Sequence, residues 1–156
     1  MLNKLQLRIG SEEFDENNKL LLEKMRDYNF SRVGTYGKKE PLFLGCYDTN
    51  NELVAGLSAG LRWGMFFIDL LWVSENYRHK KLGSKLLAEA EKQAILKNEI
   101  YIRVNTATFQ ALDFYLKNGF EVFAKLPIFV EGHKDQYDYY LVKYLHTSPN
   151  SHCLHT

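Results

Sequence analysis

The sequence predicts a mixed α/β domain, with a twisted, mostly antiparallel sheet of about six to seven strands and helices on both faces. Two observations support this fold class. Early strands with alternating apolar and polar residues are joined by short turns, whereas later strands alternate with amphipathic helices. Hairpins give antiparallel pairs and strand–helix–strand crossovers give parallel ones, so both kinds are expected in one sheet.

The first half of the chain predicts one strand, one helix and a three-stranded meander. Apolar residues alternate with polar ones over 5–9, and Ser11 is a suitable N-cap for the helix that follows. The polar segment 29–40 predicts a loop or a short irregular helix. Strands are then predicted over 42–47, 53–62 and 65–73, with turns at 48–51 and 63–64.

The second half predicts two crossovers and a final pair of strands. The expected elements are a helix from Lys81 to 97–98, a strand over 100–104, a helix over 109–117, and strands over 120–126 and 137–144. We expect residues 1–146 to form one domain. The tail 147–156 has nothing to bury and is predicted to be disordered.

Composition excludes several classes of protein. With 156 residues, 46% hydrophobic and 25% charged, the chain is typical of a globular domain with its own core. The formal net charge of +1 gives no global attraction to nucleic acid or to a membrane. No apolar segment is long enough to span a bilayer, and Met1 is not followed by an apolar signal region. We expect a cytoplasmic protein without nucleic-acid or membrane partners.

The two cysteines, Cys46 and Cys153, have no metal-ligand spacing, so no metal site is expected. The sequence leaves a homodimer open.

A basic segment, residues 78–81, lies between the strand that ends at Val73 and the helix that begins near Lys81. A helix N-terminus offers unpaired backbone N–H groups and the positive end of a dipole. Next to basic side chains, such an end suits a phosphate or pyrophosphate. Open α/β sheets bind ligands at the C-terminal ends of strands, which is where this segment is predicted.

Two motifs resemble the GCN5-related N-acetyltransferase (GNAT) superfamily over residues 54–144. The first, Arg78-x-x-Lys81-x-Gly83, resembles the acyl-CoA pyrophosphate motif Gln/Arg-x-x-Gly-x-Gly/Ala. The second, Ala111-x-x-Phe114-Tyr115-x-x-x-Gly119-Phe120, resembles the later helix and strand that support the pantetheine arm. Both motifs occur in the family's order and on the expected elements.

The resemblance implies an N-acetyltransferase in which a primary amine attacks acetyl-CoA directly. It implies that the strand ending at Val73 splays from the strand 100–104 and that pantetheine fills the gap. The residues expected to contact the cofactor are Leu71, Trp72, Val73, Arg78, His79, Lys80, Lys81, Leu82, Gly83, Ser84, Asn105 and Thr108. A non-catalytic acyl-CoA-binding or sensory module with the same fold is the alternative.

Lys81 departs from the family pattern because it replaces the first glycine of the phosphate loop. Helical dihedral angles would tolerate a lysine, whereas a positive φ would cost about 1 kcal/mol or more. Its ammonium either contacts a phosphate or points into solvent. At Gly83, the absent Cβ is expected to let the backbone approach the ligand closely.

Asn105 and Thr108 each allow two interpretations. Many family members carry an asparagine at the position of Thr108, so this threonine either contacts the cofactor or caps the helix that begins at Phe109. Asn105 either bonds the cofactor arm or simply ends its strand.

Three residues are candidates for the chemistry. Tyr115 matches the family tyrosine that donates a proton to the departing CoA thiolate, although a tyrosine that caps the core is the structural alternative. Asp69 interrupts an apolar strand and is the first candidate for the base, unless it is solvated or pairs with Arg62 or Arg103. His133 could serve as base or substrate contact, or lie in an ordinary surface loop.

Overall fold

The computed structural model describes residues 13–37 and 40–145, which belong to two compact units, Met1–Gly37 and Lys38–Thr156. The predicted strand 5–9, the predicted cap Ser11 and the predicted tail 147–156 lie outside the described residues. No helix of the described segments is long and apolar enough to cross a membrane.

The first unit contributes helix α1, Phe14–Val33. Its N-cap position is Glu13, and no side chain caps the helix there. The helix also continues through 29–33, where a loop or short irregular helix was expected. It ends at Gly34, which has φ 72° and donates its N–H to the carbonyl of Phe30 at 2.8 Å. Helices commonly end at a glycine in the left-handed conformation. Gly34 is the first glycine that follows Tyr28 in the sequence.

The second unit contains a six-stranded sheet. Its strands are β1 Glu40–Tyr47, β2 Leu53–Arg62, β3 Met65–Val73, β4 Tyr101–Ala107, β5 Glu121–Pro127 and β6 Tyr137–Tyr144. They lie in the order β1-β2-β3-β4-β6-β5, and only the β3–β4 pair among them is parallel. Helix α2 spans Leu82–Leu96 and helix α3 spans Leu112–Lys117. The predicted mixed, mostly antiparallel sheet is confirmed.

The connection from β4 to α3 differs from the prediction. Strand β4 continues to Ala107, because it pairs with β6 as far as Asp138. Helix α3 therefore begins at Leu112 rather than at Phe109. The turn between them is held by side chains: Gln110 Oε1 accepts the Ala107 N–H at 2.7 Å, and Thr106 Oγ1 accepts the Ala111 N–H at 3.2 Å.

The hydrophobic core lies between α2 and one face of the sheet. Four residues on one side of α2 are buried there, namely Leu86, Leu87, Ala90 and Ala94. The sheet contributes Leu57, Phe66, Ile68, Ile102, Val104 and Leu141. An ion pair of 2.6 Å between Lys143 and Glu91 also joins β6 to α2. Helix α2 is thereby fixed against the centre of the sheet.

Strands β3 and β4 pair only over the first part of their length. Their register runs from Met65 opposite Tyr101 to Ile68 opposite Val104 and then stops. The expected splay beyond that point is confirmed, and it opens the sheet at its centre.

A β-bulge lies at the point where this splay begins. Ser58 of β2 faces Leu70, whereas Ala59 faces Ile68, so Asp69 is an extra residue in β3. Before the bulge Phe66 and Ile68 are buried, and after it Leu71 and Val73 pack against the core. The extra residue therefore changes the alternation of β3, so that odd-numbered residues face the core after the bulge and even-numbered residues before it.

Candidate active site

A cleft of about 710 Å³ occupies the region where β3 and β4 diverge. The end of β3, the loop before α2, the first turn of α2, the end of β4 and helix α3 all line it. The predicted site residues that the cleft brings together are Asp69, Leu71, Trp72, Val73, Arg78, His79, Lys81, Leu82, Gly83, Ser84, Asn105 and Tyr115. Lys80, Thr108 and His133 do not line it.

One end of the cleft is the N-terminus of α2. The first backbone bond of this helix runs from the Lys85 N–H to the Lys81 carbonyl at 3.0 Å, and no side chain caps the helix. By helix geometry, the N–H groups of Leu82, Gly83 and Ser84 have no partner inside the helix. These groups and the helix dipole make this end of the cleft suitable for an anion.

The loop before α2 places its cations around this end. Arg78 donates from Nε to the Val73 carbonyl at 3.5 Å and pairs with Glu75 at 3.4 Å. Arg78 and His79 both line the cleft. The Lys80 ammonium lies 4.4 Å from the centre of the Tyr77 ring.

Lys81 and His79 both have left-handed backbones. Lys81 has φ 59° and ψ 18°, and His79 has φ 64°. Lys81 therefore has a positive φ and not the helical dihedral angles that would tolerate a lysine. A positive φ is unfavourable for any residue with a side chain. The loop thus carries backbone strain directly beside the anion-binding end of the cleft.

Gly83 packs closely against a side chain of α3. A Cβ at this position would lie 3.0 Å from Cζ of Phe114 and 3.7 Å from Cγ2 of Val73. The missing side chain therefore makes room for Phe114. The glycine lets the first turn of α2 pack directly on α3.

Tyr115 belongs to the core and also lines the cleft. It is only 5% exposed and belongs to the core cluster, yet it lines the cleft. Its ring meets the rings of Phe114 and Phe120 edge to face at 5.3 and 5.6 Å. Burial raises the pKa of Tyr115 to about 12, because the phenolate would lose its hydration. The phenol is therefore a neutral hydrogen-bond donor under ordinary conditions.

Asp69 is the bulge residue of β3, and its exposed side chain lines the cleft. Within residues 40–145 it has no ion pair, so the expected alternative of pairing with Arg62 or Arg103 is not observed. The guanidinium of Arg103 lies beside two phenylalanine rings instead. A carboxylate at the mouth of the gap can accept a proton there.

Two other predicted residues have structural partners outside the cleft. Thr108 Oγ1 accepts the Tyr137 N–H at 2.8 Å and donates to the Tyr137 carbonyl at 3.1 Å, so it does not cap α3. His133 lies in the turn between β5 and β6, where its N–H donates to the Val130 carbonyl at 3.0 Å. The cleft therefore unites Asp69 and Tyr115 but not His133.

Several lining residues were not predicted. Phe109 is 63% exposed, and with Gln110 and Thr106 it lines the cleft from the end of β4. Their position at the end of a central strand was the available signal, since open sheets bind ligands at such ends. Among the described residues, no three His, Cys, Asp or Glu side chains are grouped to hold a metal ion.

Comparisons with known proteins agree on one kind of enzyme. Residues 7–120 match the profile of the acetyltransferase (GNAT) family. A blasticidin-S acetyltransferase from Streptomyces morookaense is 38% identical over 84 residues, which are 52% of this chain and 60% of that relative. The match thus spans less than two thirds of the relative's length.

Two solved structures cover nearly the whole chain. One, from Agrobacterium tumefaciens, has a TM-score of 0.76 at 25% identity and covers 92% of this chain and 99% of that chain. The other, an acetyltransferase from Bacillus cereus, has a TM-score of 0.74 at 28% identity and covers 90% and 98%.

Proposed function

This chain belongs to the acetyltransferase (GNAT) family, and we propose that it transfers the acetyl group of acetyl-CoA to a primary amine by direct attack. Family membership makes it an acyltransferase. The observation that carries the proposal is the cleft between β3 and β4. It has an anion-binding helix end at one side and holds Asp69 and Tyr115 within the same space.

The cations at one end of the cleft and the open edge of β3 support acetyl-CoA as the donor. The free N–H groups of Leu82, Gly83 and Ser84 would receive the pyrophosphate, with Arg78 and Lys81 as neighbouring cations and the His79 side chain beside them. Past Ile68, the side of β3 that faces β4 has no strand partner. The backbone of Leu71, Trp72 and Val73 would therefore bond the amide groups of pantetheine as a neighbouring strand would. Asn105 faces them from β4.

In the proposed reaction, the amine nitrogen forms a bond to the thioester carbonyl carbon and the carbon–sulfur bond breaks. Asp69, directly or through water, accepts the proton that the amine must lose. An N–H of β3 in the gap polarises the carbonyl oxygen. No covalent enzyme intermediate is needed, and Cys46 lies on β1, outside the cleft lining.

Tyr115 would assist the departing thiolate. Its pKa is raised to about 12, whereas a thiol has a pKa of about 8.5, so complete proton transfer would cost about 5 kcal/mol. We therefore assign Tyr115 a hydrogen bond to the sulfur as the bond breaks, and water or buffer delivers the proton afterwards.

The test is calorimetric titration with acetyl-CoA, followed by measurement of thiol release with a panel of primary amines. We expect binding, release of thiol with at least one amine, and a Tyr115→Phe variant that binds acetyl-CoA normally but has a lower kcat. Failure to bind acetyl-CoA would refute the proposal. Tight binding without turnover across the panel would favour the non-catalytic sensory module instead.

A further inference from the structure

We infer that the acceptor amine carries an anionic group, a carboxylate in the simplest case, and that Arg103 binds this group. The inference rests on the proposed function, because it identifies the class of acceptor for the same site. The positive charge of Arg103 has no counter-ion among residues 40–145.

Arg103 lies on the face of the sheet opposite the core. Its neighbours in β4, Ile102 and Val104, are buried against α2, so the alternation of the strand directs Arg103 to the other side. Its guanidinium carbon lies 5.8 Å from the centre of the Phe67 ring and 5.2 Å from that of Phe123. These two rings hold the cation by packing and by cation–π attraction.

The residues around Arg103 leave its charge unpaired. No carboxylate of residues 40–145 lies within ion-pair distance of it, and its buried Nε has no hydrogen-bond partner among the described residues. A buried donor without an acceptor costs free energy, so a purely structural role would favour an apolar side chain here. A guanidinium is suited to carboxylate recognition, and this side chain is only partly buried.

The position of Arg103 relative to Asp69 suits a small molecule with both charges. Phe67 faces Arg103 in the β3–β4 register, and Asp69 follows Phe67 by two residues, about 7 Å along the strand. Arg103 does not line the cleft itself. An acceptor with its amine at Asp69 would extend out of the cleft along this face and bring its anionic group to Arg103. The Phe123 and Tyr140 rings, 6.3 Å apart, line the same face and favour an apolar substituent. Two carboxylates lie on that face of the neighbouring strands: Asp138 of β6, four residues from Val142, the register partner of Arg103, and Glu121 of β5, the register partner of Val142. Neither forms an ion pair with Arg103.

The test compares amines that differ only in this anionic group. The pairs are phenylalanine with phenylalaninamide, and leucine with leucinamide, assayed with the wild type and with Arg103→Gln, Arg103→Lys and Lys125→Gln. The readout is the ratio of kcat/KM for the acid to kcat/KM for the amide, compared between enzymes. The different basicities of the two amines cancel in that comparison.

We expect Arg103→Gln to lower this ratio by about ten- to a hundredfold, mainly through KM for the acid, as for loss of a hydrogen bond to a charged group. Arg103→Lys should lower it less. Lys125→Gln removes another cation beside a ring, the Tyr137 ring at 4.6 Å, and should leave the ratio unchanged. If Arg103→Gln does not fold, Arg103→Met, which keeps the apolar length of the side chain without its charge, takes its place.

An unchanged ratio in the folded Arg103 variants would overturn the inference, as would a wild type that prefers spermidine to every acid. The proposed function would survive either result, because thiol would still be released. Absence of thiol release with every amine would refute the proposed function itself, and the inference with it.

Discussion

The first turn of α2 packs on α3 through Gly83 and Phe114. A Cβ at Gly83 would lie 3.0 Å from Cζ and 3.2 Å from Cε2 of the Phe114 ring. The same turn provides the N–H groups at the anion-binding end of the cleft. Any side chain that pushes this turn away from Phe114 should therefore disturb the cleft as well as the packing.

We expect Gly83→Ala to lower the free energy of unfolding by about 1–3 kcal/mol through overpacking, partly offset by the higher helix propensity of alanine. The dissociation constant for acetyl-CoA should rise about tenfold. Gly60→Ala is the matched control, since a Cβ there would meet nothing within 4 Å. Urea unfolding and calorimetry provide both measurements. Unchanged acetyl-CoA affinity in a destabilised Gly83→Ala would show that this contact does not position the loop.

Lys81 allows backbone strain and charge to be separated. Both Lys81→Gly and Lys81→Ala remove the ammonium, but only glycine adopts φ 59° without strain. Lys81→Gly should therefore be about 1 kcal/mol more stable than Lys81→Ala in urea unfolding. Both variants should bind acetyl-CoA more weakly and with a smaller dependence on salt. Tighter binding by Lys81→Gly than by the wild type would mean that the lysine weakens the site.

The fold was predictable where side-chain alternation is strong. Strands β2, β3 and β6 have the predicted bounds, because their apolar alternation and flanking turns determine a register. The order of elements and the cleft at the end of β3 followed from the crossover pattern and the phosphate-loop motif. These features depend on residues close together in the sequence.

What could not be predicted depends on contacts between distant residues. The bulge at Asp69 is defined by its partners Ser58 and Ala59 on β2. Thr108 resembles a helix cap in sequence, but it bonds the backbone of Tyr137 on another strand. The role of Gly83 likewise depends on Phe114, which lies 31 residues further along the chain.

The raised pKa of Tyr115 predicts a loss of stability in alkali. A pKa of about 12 in the folded protein against an ordinary value of 10.0 means that the unfolded chain releases this proton first. The stabilisation is complete below about pH 10 and is lost as the pH rises toward 12, by up to about 3 kcal/mol. Urea unfolding at pH 8 to 11 should show a smaller decline for Tyr115→Phe than for the wild type. Equal declines would mean that the phenol is not desolvated.

The proposed proton acceptor can be distinguished from its competitor by three substitutions. We expect Asp69→Asn to lower kcat by about 10²- to 10⁴-fold, the usual contribution of a positioned base, with little change in acetyl-CoA affinity. His133→Gln should have a much smaller effect, since His133 does not line the cleft that holds Asp69 and Tyr115. Asp113→Asn is the matched control, because Asp113 is an exposed carboxylate in the first turn of α3 outside the cleft lining. Steady-state thiol release with a reactive amine measures all three variants. A large loss in His133→Gln with full activity in Asp69→Asn would reverse the assignment and require the β5–β6 turn to reach the acceptor during catalysis.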